Sequence, residues 1–366
     1  MIPLTVPALG ADEIAAAERV LRSGMLVQGE EVRAFEAALA ARTGRKHAIA
    51  VASGTTALEL ALRALDLGPG DEVMCPALTW PSPAHAALAV GAEVALVDVD
   101  PHEWNATEHD FAVARGPRTR AAIVIEQFGN PARHRPLAGA LDGLKVIVDA
   151  ACSLGAAYEG QPCGGHGLIA CTSFHPRKVL TTGEGGACLT DDDAIAERLR
   201  VLRNHGQRAP GQFVQASGNY RMTELAAAIG RVQVDKLETL VAARRALAAQ
   251  LREVLPRDAV QHAPAGGEPN HQTLGLLIGA PGSGSAARDR VIAALRDQGV
   301  QAGALSYALH RLPQLREAGA RAQAAGRTLV HAADLVDRGL ALPLFPSMTE
   351  AQVSALRAAL ARVLAR

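Results

Sequence analysis

Between His47 and Leu189 the chain repeats one pattern: a short apolar run, a turn, a polar or helically spaced stretch, then another apolar run. Runs at His47–Val51, Glu72–Cys75, Glu93–Val97, Ala121–Ile125, Lys145–Asp149, Ile169–Phe174 and Ala187–Leu189 read as strands. Most are continuous rather than alternating, as expected for strands covered on both faces. Thr55–Leu65 and Pro83–Val90 have helical spacing between them. This alternation predicts an α/β fold whose large domain is a mostly parallel sheet of about seven strands between helices.

The flanks differ. Ala11–Arg22 and Glu30–Arg42 precede the sheet with helical spacing. After it come a helix at Ile195–Leu202, a polar loop at Arg203–Asn219, and one long helical region from Thr223 to Leu255 that Pro256 ends. The remainder mixes strands at Gln272–Ile278, Val300–Leu305 and Ala341–Leu344 with helices at Ala286–Asp297, Thr328–Leu335 and Glu350–Leu364. That is a smaller α+β unit. A chain of 366 residues exceeds one ordinary core. We expect a large domain over 1–240, with an N-terminal arm, and a small C-terminal domain over 241–366. The segments Pro264–Pro269 and Pro281–Ser285 read as mobile loops.

Several function classes are disfavoured. Lysine plus arginine equal aspartate plus glutamate at 37 each, so no general electrostatic grip on nucleic acid or membrane is expected. The uncharged run Val73–Ala92 is long enough to span a bilayer but is broken by Pro76, Pro81 and Pro83. Met1–Gly10 has no basic, apolar leader pattern, so a cytoplasmic location is expected. The cysteines are Cys75, Cys152, Cys163, Cys171 and Cys188. They are odd in number and form no Cys-x-x-Cys, which suggests neither a disulfide framework nor zinc. The histidines lack metal-ligand spacing, and Asp98-Val99-Asp100 lacks the glycine and glutamate of a calcium loop. No metal is expected.

In a parallel sheet, ligands collect at the carboxyl ends of the strands. Four groups fall at such ends. Ser53-Gly54-Thr55-Thr56 opens a helix, where free N–H groups and the helix dipole suit a phosphate; its plainer reading is a capped turn. Trp80 is a flat ring past one strand end, fit for stacking or for ordinary packing. Asp149 closes a buried run, where a carboxylate needs a cation or donor; it either meets a ligand or caps the next segment. Lys178 sits in a Gly-rich turn after Ser173 and has the setting of a Schiff-base lysine. The other lysines read as solvated strand-end charges (Lys46, Lys145) and a surface charge (Lys236). In chain order the four groups supply a phosphate cup, a stacking ring, a partner for a pyridinium nitrogen and an imine lysine. Together they describe a pyridoxal 5'-phosphate site.

Further stretches share this order: Gly24–Gly29 with Phe35-Glu36, Val97–Asp100, Asp149-Ala150-Ala151, Ser173–Lys178 with Thr182–Gly186, Arg203–Gly206, Gly218–Leu225, Ser306–His310 and Leu342–Pro346. The set resembles the sugar aminotransferases of the DegT/StrS group, within the fold-type I pyridoxal phosphate enzymes. The resemblance implies that Lys178 carries the cofactor and that Asp149 partners its ring nitrogen. It implies that Trp80 stacks on the ring, and that Gly54, Thr55 and Ser173 contact the phosphate. It also implies a homodimer in which Asn219 reaches the phosphate of the neighbouring subunit; the plainer reading makes Asn219 a cap for the helix after Arg221-Met222. Tyr307 and His310 fall on the substrate side. An amino acid, usually L-glutamate, would leave its amino group as pyridoxamine phosphate, and a nucleotide-linked keto sugar would accept it. A keto-cyclitol acceptor and a non-catalytic regulatory member of the fold are the rivals. Lys178 argues against the dehydratases of the group, which carry His there. One departure stands out: Cys152 occupies a position usually held by Gln or His, a stronger partner for the cofactor's phenolic oxygen.

Overall fold

A computed structural model of the protein describes residues 1–365. Its centre is a seven-stranded sheet. In chain order the strands are β1 His47–Val51, β2 Glu72–Pro76, β3 Glu93–Val97, β4 Thr119–Ile125, β5 Lys145–Asp149, β6 Ile169–Ser173 and β7 Gly186–Thr190. They lie in the order β1-β7-β6-β5-β4-β2-β3. Only β7 runs against its neighbours. The residues of β1, β2 and β3 after the first are all buried. Helices on both faces therefore explain why these runs are apolar throughout.

Aromatic residues are scarce, so the core is built from Ala, Val, Leu and Ile around the sheet. A few rings fill the larger gaps: Phe35 meets Phe174 edge-on at 5.2 Å, and Trp104 meets Phe128 at 5.9 Å. A second core gathers Leu251, Leu274, Leu276, Leu295, Leu342 and Leu356, and Ile2 joins it. It surrounds an antiparallel sheet of three strands, β8 Leu274–Leu277, β9 Gly303–Ala304 and β10 Gly339–Leu342, with β10 in the middle.

Four expectations need correction. The long helical region is two helices, Glu224–Asp235 and Leu237–Arg252, meeting at Lys236. The junction is tied to the N-terminal segment: Gln233 donates to Ala8 O and Glu13 Oε1 at 2.8 Å, and Lys236 Nζ pairs with Asp12 and Glu13. Lys236 is thus a partly exposed ion-pair partner of Asp12 and Glu13 rather than a free surface charge. The strand expected over Val300–Leu305 shrinks to Gly303–Ala304, because Ile2 takes the backbone beside Val300 through Ile2 N to Gly299 O and Gln301 N to Ile2 O. The segment Pro264–Pro269 is held where Gly267–Glu268 pairs with Ala157–Tyr158. A helix at Arg316–Ala324 was not expected: it buries only Ala318 and Ala322, too weak an apolar stripe to show in the sequence. Among the described residues no helix is long and apolar enough to cross a membrane.

Candidate active site

The carboxyl ends of β1, β2, β4, β5 and β6 share one edge of the sheet, and β7 begins there. The turns beyond them enclose a cavity of about 680 Å³. Gly54, Thr55, Trp80, Asp149, Ser173 and Lys178 all line it.

After β1 the chain turns at Ser53 into the helix Gly54–Ala64. The Ser53 hydroxyl accepts from Thr56 N at 3.1 Å. That leaves the N–H groups of Gly54 and Thr55 without a protein acceptor among the described residues, at the positive end of the helix dipole. Glycine is needed at 54: a Cβ there would stand 2.7 Å from Ser173 Cβ and 3.3 Å from Thr172 O. The close approach puts the Ser173 hydroxyl beside the same helix end.

Asp149 ends β5 and is 7% exposed. The one hydrogen bond to its carboxylate among the described residues comes from Ala151 N, at 3.0 Å to Oδ1. Burial pushes its pKa up; the Ala151 bond and the Lys178 charge oppose this, and the Glu126 charge adds to it. Lys178 lies on the loop between β6 and β7. Its N–H donates to His175 O at 2.8 Å, while Phe174 O accepts from Thr182 N and the Thr181 hydroxyl. The loop is therefore fixed from both ends. Lys178 Nζ lies 3.2 Å from Cys152 Sγ, so the departing residue of the sequence motif is a direct neighbour of the lysine. The remaining lysines are engaged elsewhere: Lys46 with Asp193, Lys145 with Leu65 O, and Lys236 as described.

Trp80 is 60% exposed, and its ring meets Tyr307 edge-on at 5.4 Å. A short antiparallel pairing of Tyr307–Ala308 with Leu78–Thr79 brings this C-terminal segment over the cavity. Ser306 joins the lining, but His310 does not. The second tryptophan, Trp104, is buried and donates to Pro101 O.

Asn219 is not among the lining residues of its own chain. It is exposed, bridges to Asn204, and accepts from Arg221 N at 3.3 Å. The helix that follows is capped by Thr223, whose hydroxyl accepts from Ala226 N. The capping role is thus filled without Asn219.

A scan against protein-family models matches the DegT/DnrJ/EryC1/StrS aminotransferase family over residues 7–361. The chain belongs to this family. Among solved structures it is similar to S. venezuelae DesV, with 31% identity, 97% of this chain and 94% of that chain covered, and a TM-score of 0.87. The aminotransferase TlmJ from Streptoalloteichus hindustanus shares 29% identity over 100% and 99% of the two chains, with a TM-score of 0.90. Spr1654 from Streptococcus pneumoniae, in its PMP form, matches at 23% identity over 99% of each chain and a TM-score of 0.91, a likeness of fold. The protein is a fold-type I aminotransferase dependent on pyridoxal phosphate.

Within the aminotransferase several motif residues have structural work. Glu224 accepts from the backbone N–H groups of Gly29, Glu31 and Val32. Arg203 pairs with Glu36 and donates to Ala50 O. Asp98 accepts from the N–H groups of His331 and Ala332, so it caps a helix. Other lining residues escaped the sequence reading. Gln272 and Thr273 come from the β8 side, and Leu4 and Thr5 come from the N-terminal arm. Glu126 also lines the cavity. It closes the apolar run of β4 just as Asp149 closes that of β5, so the signal that found one acid was present for the other.

Proposed function

We propose that the aminotransferase moves the amino group of an amino acid, L-glutamate, onto a keto sugar carried by a nucleotide. The observation behind this is the convergence of Lys178, Asp149, Trp80, Gly54, Thr55 and Ser173 on one cavity. The cavity fits the cofactor in three independent ways. The paired N–H groups at Gly54 and Thr55, with Ser173, suit a phosphate. Asp149 is buried and short of donors, which suits a protonated ring nitrogen. The exposed Trp80 ring offers a face for stacking.

Pyridoxal phosphate, when bound, supplies the electron sink and carries the amino group between the two substrates. Lys178 Nζ would hold it covalently at rest and, once freed, would take the proton from the donor's α-carbon and return it in the acceptor half. Asp149, as an anion, would hold the proton on the ring nitrogen. Trp80 would fix the tilt of the ring, and Gly54, Thr55 and Ser173 would anchor the phosphate. The motif resemblance supports the keto sugar and the nucleotide, and 680 Å³ lies within the size range of small-molecule sites.

We further propose that the protein is a homodimer in which Asn219 completes the neighbour's phosphate site. Asn219 stands free of its own cavity. Near it, Val27 pairs with Thr223, and Met25, Leu26 and Val27 are exposed, as are Phe213 and Val214. Such an apolar patch suits a second copy of the chain. All the cysteines are free, which suits a reducing cytoplasm. We also propose that the chain divides into a large domain over 1–240 and a small C-terminal domain over 241–366.

The test is a panel of nucleotide-linked keto sugars run with L-glutamate and read by mass. Glutamate should bleach the visible band of the holoenzyme, and one sugar should gain the amino group. Turnover with a keto-cyclitol and no nucleotide sugar would reject the acceptor assignment.

A further inference from the structure

Glu126 and Asp149 leave adjacent parallel strands side by side. Ile125 is in register with Asp149, and Glu126 N donates to Asp149 O at 3.2 Å. Glu126 is fully buried, Asp149 nearly so, and both line the reaction cavity. Two buried carboxylates that face one cavity from adjacent strands disfavour each other's ionised form unless nearby charge compensates them. Lys178 faces Asp149. The remaining ionisable neighbours of Asp149, Cys75 and Cys171, are buried thiols whose pKa is pushed up by burial, so they stay neutral.

Glu126 has its own partners. His134 Nε2 lies 2.7 Å from Oε1, and the Ser153 hydroxyl donates to Oε2. Cys163 also faces it and is held neutral by burial. Burial by itself would raise Glu126, but the His134 bond and charge, with Ser153, outweigh this and hold the carboxyl below its ordinary range. Behind His134 the ring of His166 stacks at 3.7 Å with its plane 12° away. Burial, with the charge of His134, brings His166 down to about 4, so it does not compete for the proton. Tyr158 meets His134 edge-on, Arg45 donates to His166 O, and Arg135 pairs with Glu159. His134 and His166 also line a second cavity of about 250 Å³ with Arg135, Tyr158, Glu159 and Gln161.

We propose that His134 is a positioning residue for the reaction: as an imidazolium on Glu126 it cancels that charge and keeps Asp149 ionised for the ring nitrogen of the cofactor. The inference rests on Asp149 being the ring partner. Its sign is specific. Loss of the His134 charge exposes Asp149 to an uncompensated Glu126 anion, so Asp149 takes up a proton. Loss of the Glu126 charge has the opposite effect.

The experiment compares holoenzymes of the natural chain, His134→Gln, Glu126→Gln, the double variant and Asp149→Asn. The readouts are the cofactor dissociation constant across pH and the pH midpoint of the visible band. His134→Gln keeps a donor toward Glu126 but no charge. It should weaken cofactor binding about tenfold, the effect of a shift of about one pKa unit. Glu126→Gln should bind at least as tightly as the natural chain. The double variant should match Glu126→Gln, since no charge is left to cancel. If both single variants weaken binding alike, or the double is worse than Glu126→Gln, the pair only packs and the inference is overturned. If neither variant moves either readout while Asp149→Asn does, the inference fails and the reading of Asp149 stands. If Asp149→Asn also moves nothing, both fall. Thermal melts of the cofactor-free chains check folding; if His134→Gln does not fold, His134→Asn and Glu126→Gln carry the same comparison.

Discussion

Glu224 and Asp149 are both buried carboxylates, yet their surroundings are opposite. Glu224, 3% exposed, accepts from Gly29 N at 2.7 Å, Glu31 N at 2.9 Å and Val32 N at 3.0 Å. It caps the helix Glu30–Thr43 from a distant part of the chain. The fit is close, since a Cβ on Gly29 would stand 2.6 Å from Glu224 Oε2. Asp149 has one backbone N–H and then faces the cavity. A carboxylate with its acceptor capacity filled by N–H groups stabilises the fold. One buried with that capacity unfilled costs stability and is free to meet a ligand. Burial alone does not separate the two kinds of acid; the count of donors does.

The largest effect that sharpens this contrast belongs to Lys178, the cation facing the under-supplied acid. Lys178→Ala should abolish turnover and the visible band while leaving the melting temperature of the cofactor-free chain close to the original. Borohydride trapping, digestion and mass analysis should place the cofactor of the natural chain on the Lys178 peptide. Finding it on Lys46, Lys145 or Lys236 would break the assignment.

The next test could break the contrast, because the region around Glu224 also carries Asn219. If Asn219 serves the neighbouring subunit, the structural region gives a donor to the chemistry as well. Lys178→Ala and Asn219→Ala chains should each be weak or dead alone. In a mixed dimer one site carries both defects and the other has neither. Co-refolding the two should then restore activity toward one site per mixed dimer. No recovery would confine Asn219 to its own chain.

Asp149→Asn and Glu224→Ala test the contrast directly. The first should cut single-turnover rates with glutamate by at least about tenfold, or ~1.4 kcal/mol of barrier, because an amide cannot hold the ring proton as an anion does. The second should leave the rate per cofactor-loaded site within about twofold. It should instead lower stability by ~3 kcal/mol, since it leaves N–H groups unpaired. The pH dependence of Asp149 has a definite sign. Burial raises its pKa in the folded, cofactor-free chain above the unfolded value near ~3.9. Below the unfolded value both states hold the proton and its contribution is fully present; it is lost as pH rises through the folded value. At pH 7 the cofactor-free Asp149→Asn chain should therefore melt above the natural one, with the gap closing as the solution is acidified. A melting temperature lower than the natural chain's at pH 7 would show that the Asp149 charge is already compensated.

The two regions also differ in how far the sequence discloses them. β1, β3 and β5 fall at the residues expected, because a buried strand must be apolar and its ends are marked by turns. The six residues chosen from strand ends and turns meet at one cavity, since a parallel sheet brings its carboxyl ends together. What was not legible depended on distant partners. Gln233 and Lys236 break the long helix only because Glu13 is there to bind them. Val300 leaves its strand because Ile2 arrives. Glu224 looks like an ordinary first-turn acid until Gly29–Val32 is placed against it. Glu126 was legible by the same rule as Asp149, and its His134 partner was not, because no local pattern joins them.

Cys152 should give the smallest effect and lies where the two kinds of site meet. Its backbone is structural: Asn270, fully buried, donates from Nδ2 to Cys152 O at 2.9 Å. Its side chain is not, since Sγ lies 3.2 Å from Lys178 Nζ at the cavity wall. A thiol is a weak hydrogen-bond donor and acceptor, whereas a glutamine amide offers a strong N–H. If residue 152 faces the phenolic oxygen of the cofactor, Cys152→Gln strengthens the bond that favours loss of the proton from the lysine–cofactor linkage. The pH midpoint of the visible band should then fall, by less than about one pH unit, with turnover kept within about fivefold. The Asn270 bond is to the backbone and survives the substitution, so stability should change little. Spectral titration of the two proteins decides it. A midpoint shifted downward makes Cys152 a working neighbour of the cofactor, on the same side of the contrast as Asp149. Coincident curves would put residue 152 with Glu224, as part of the frame that holds Lys178 in place.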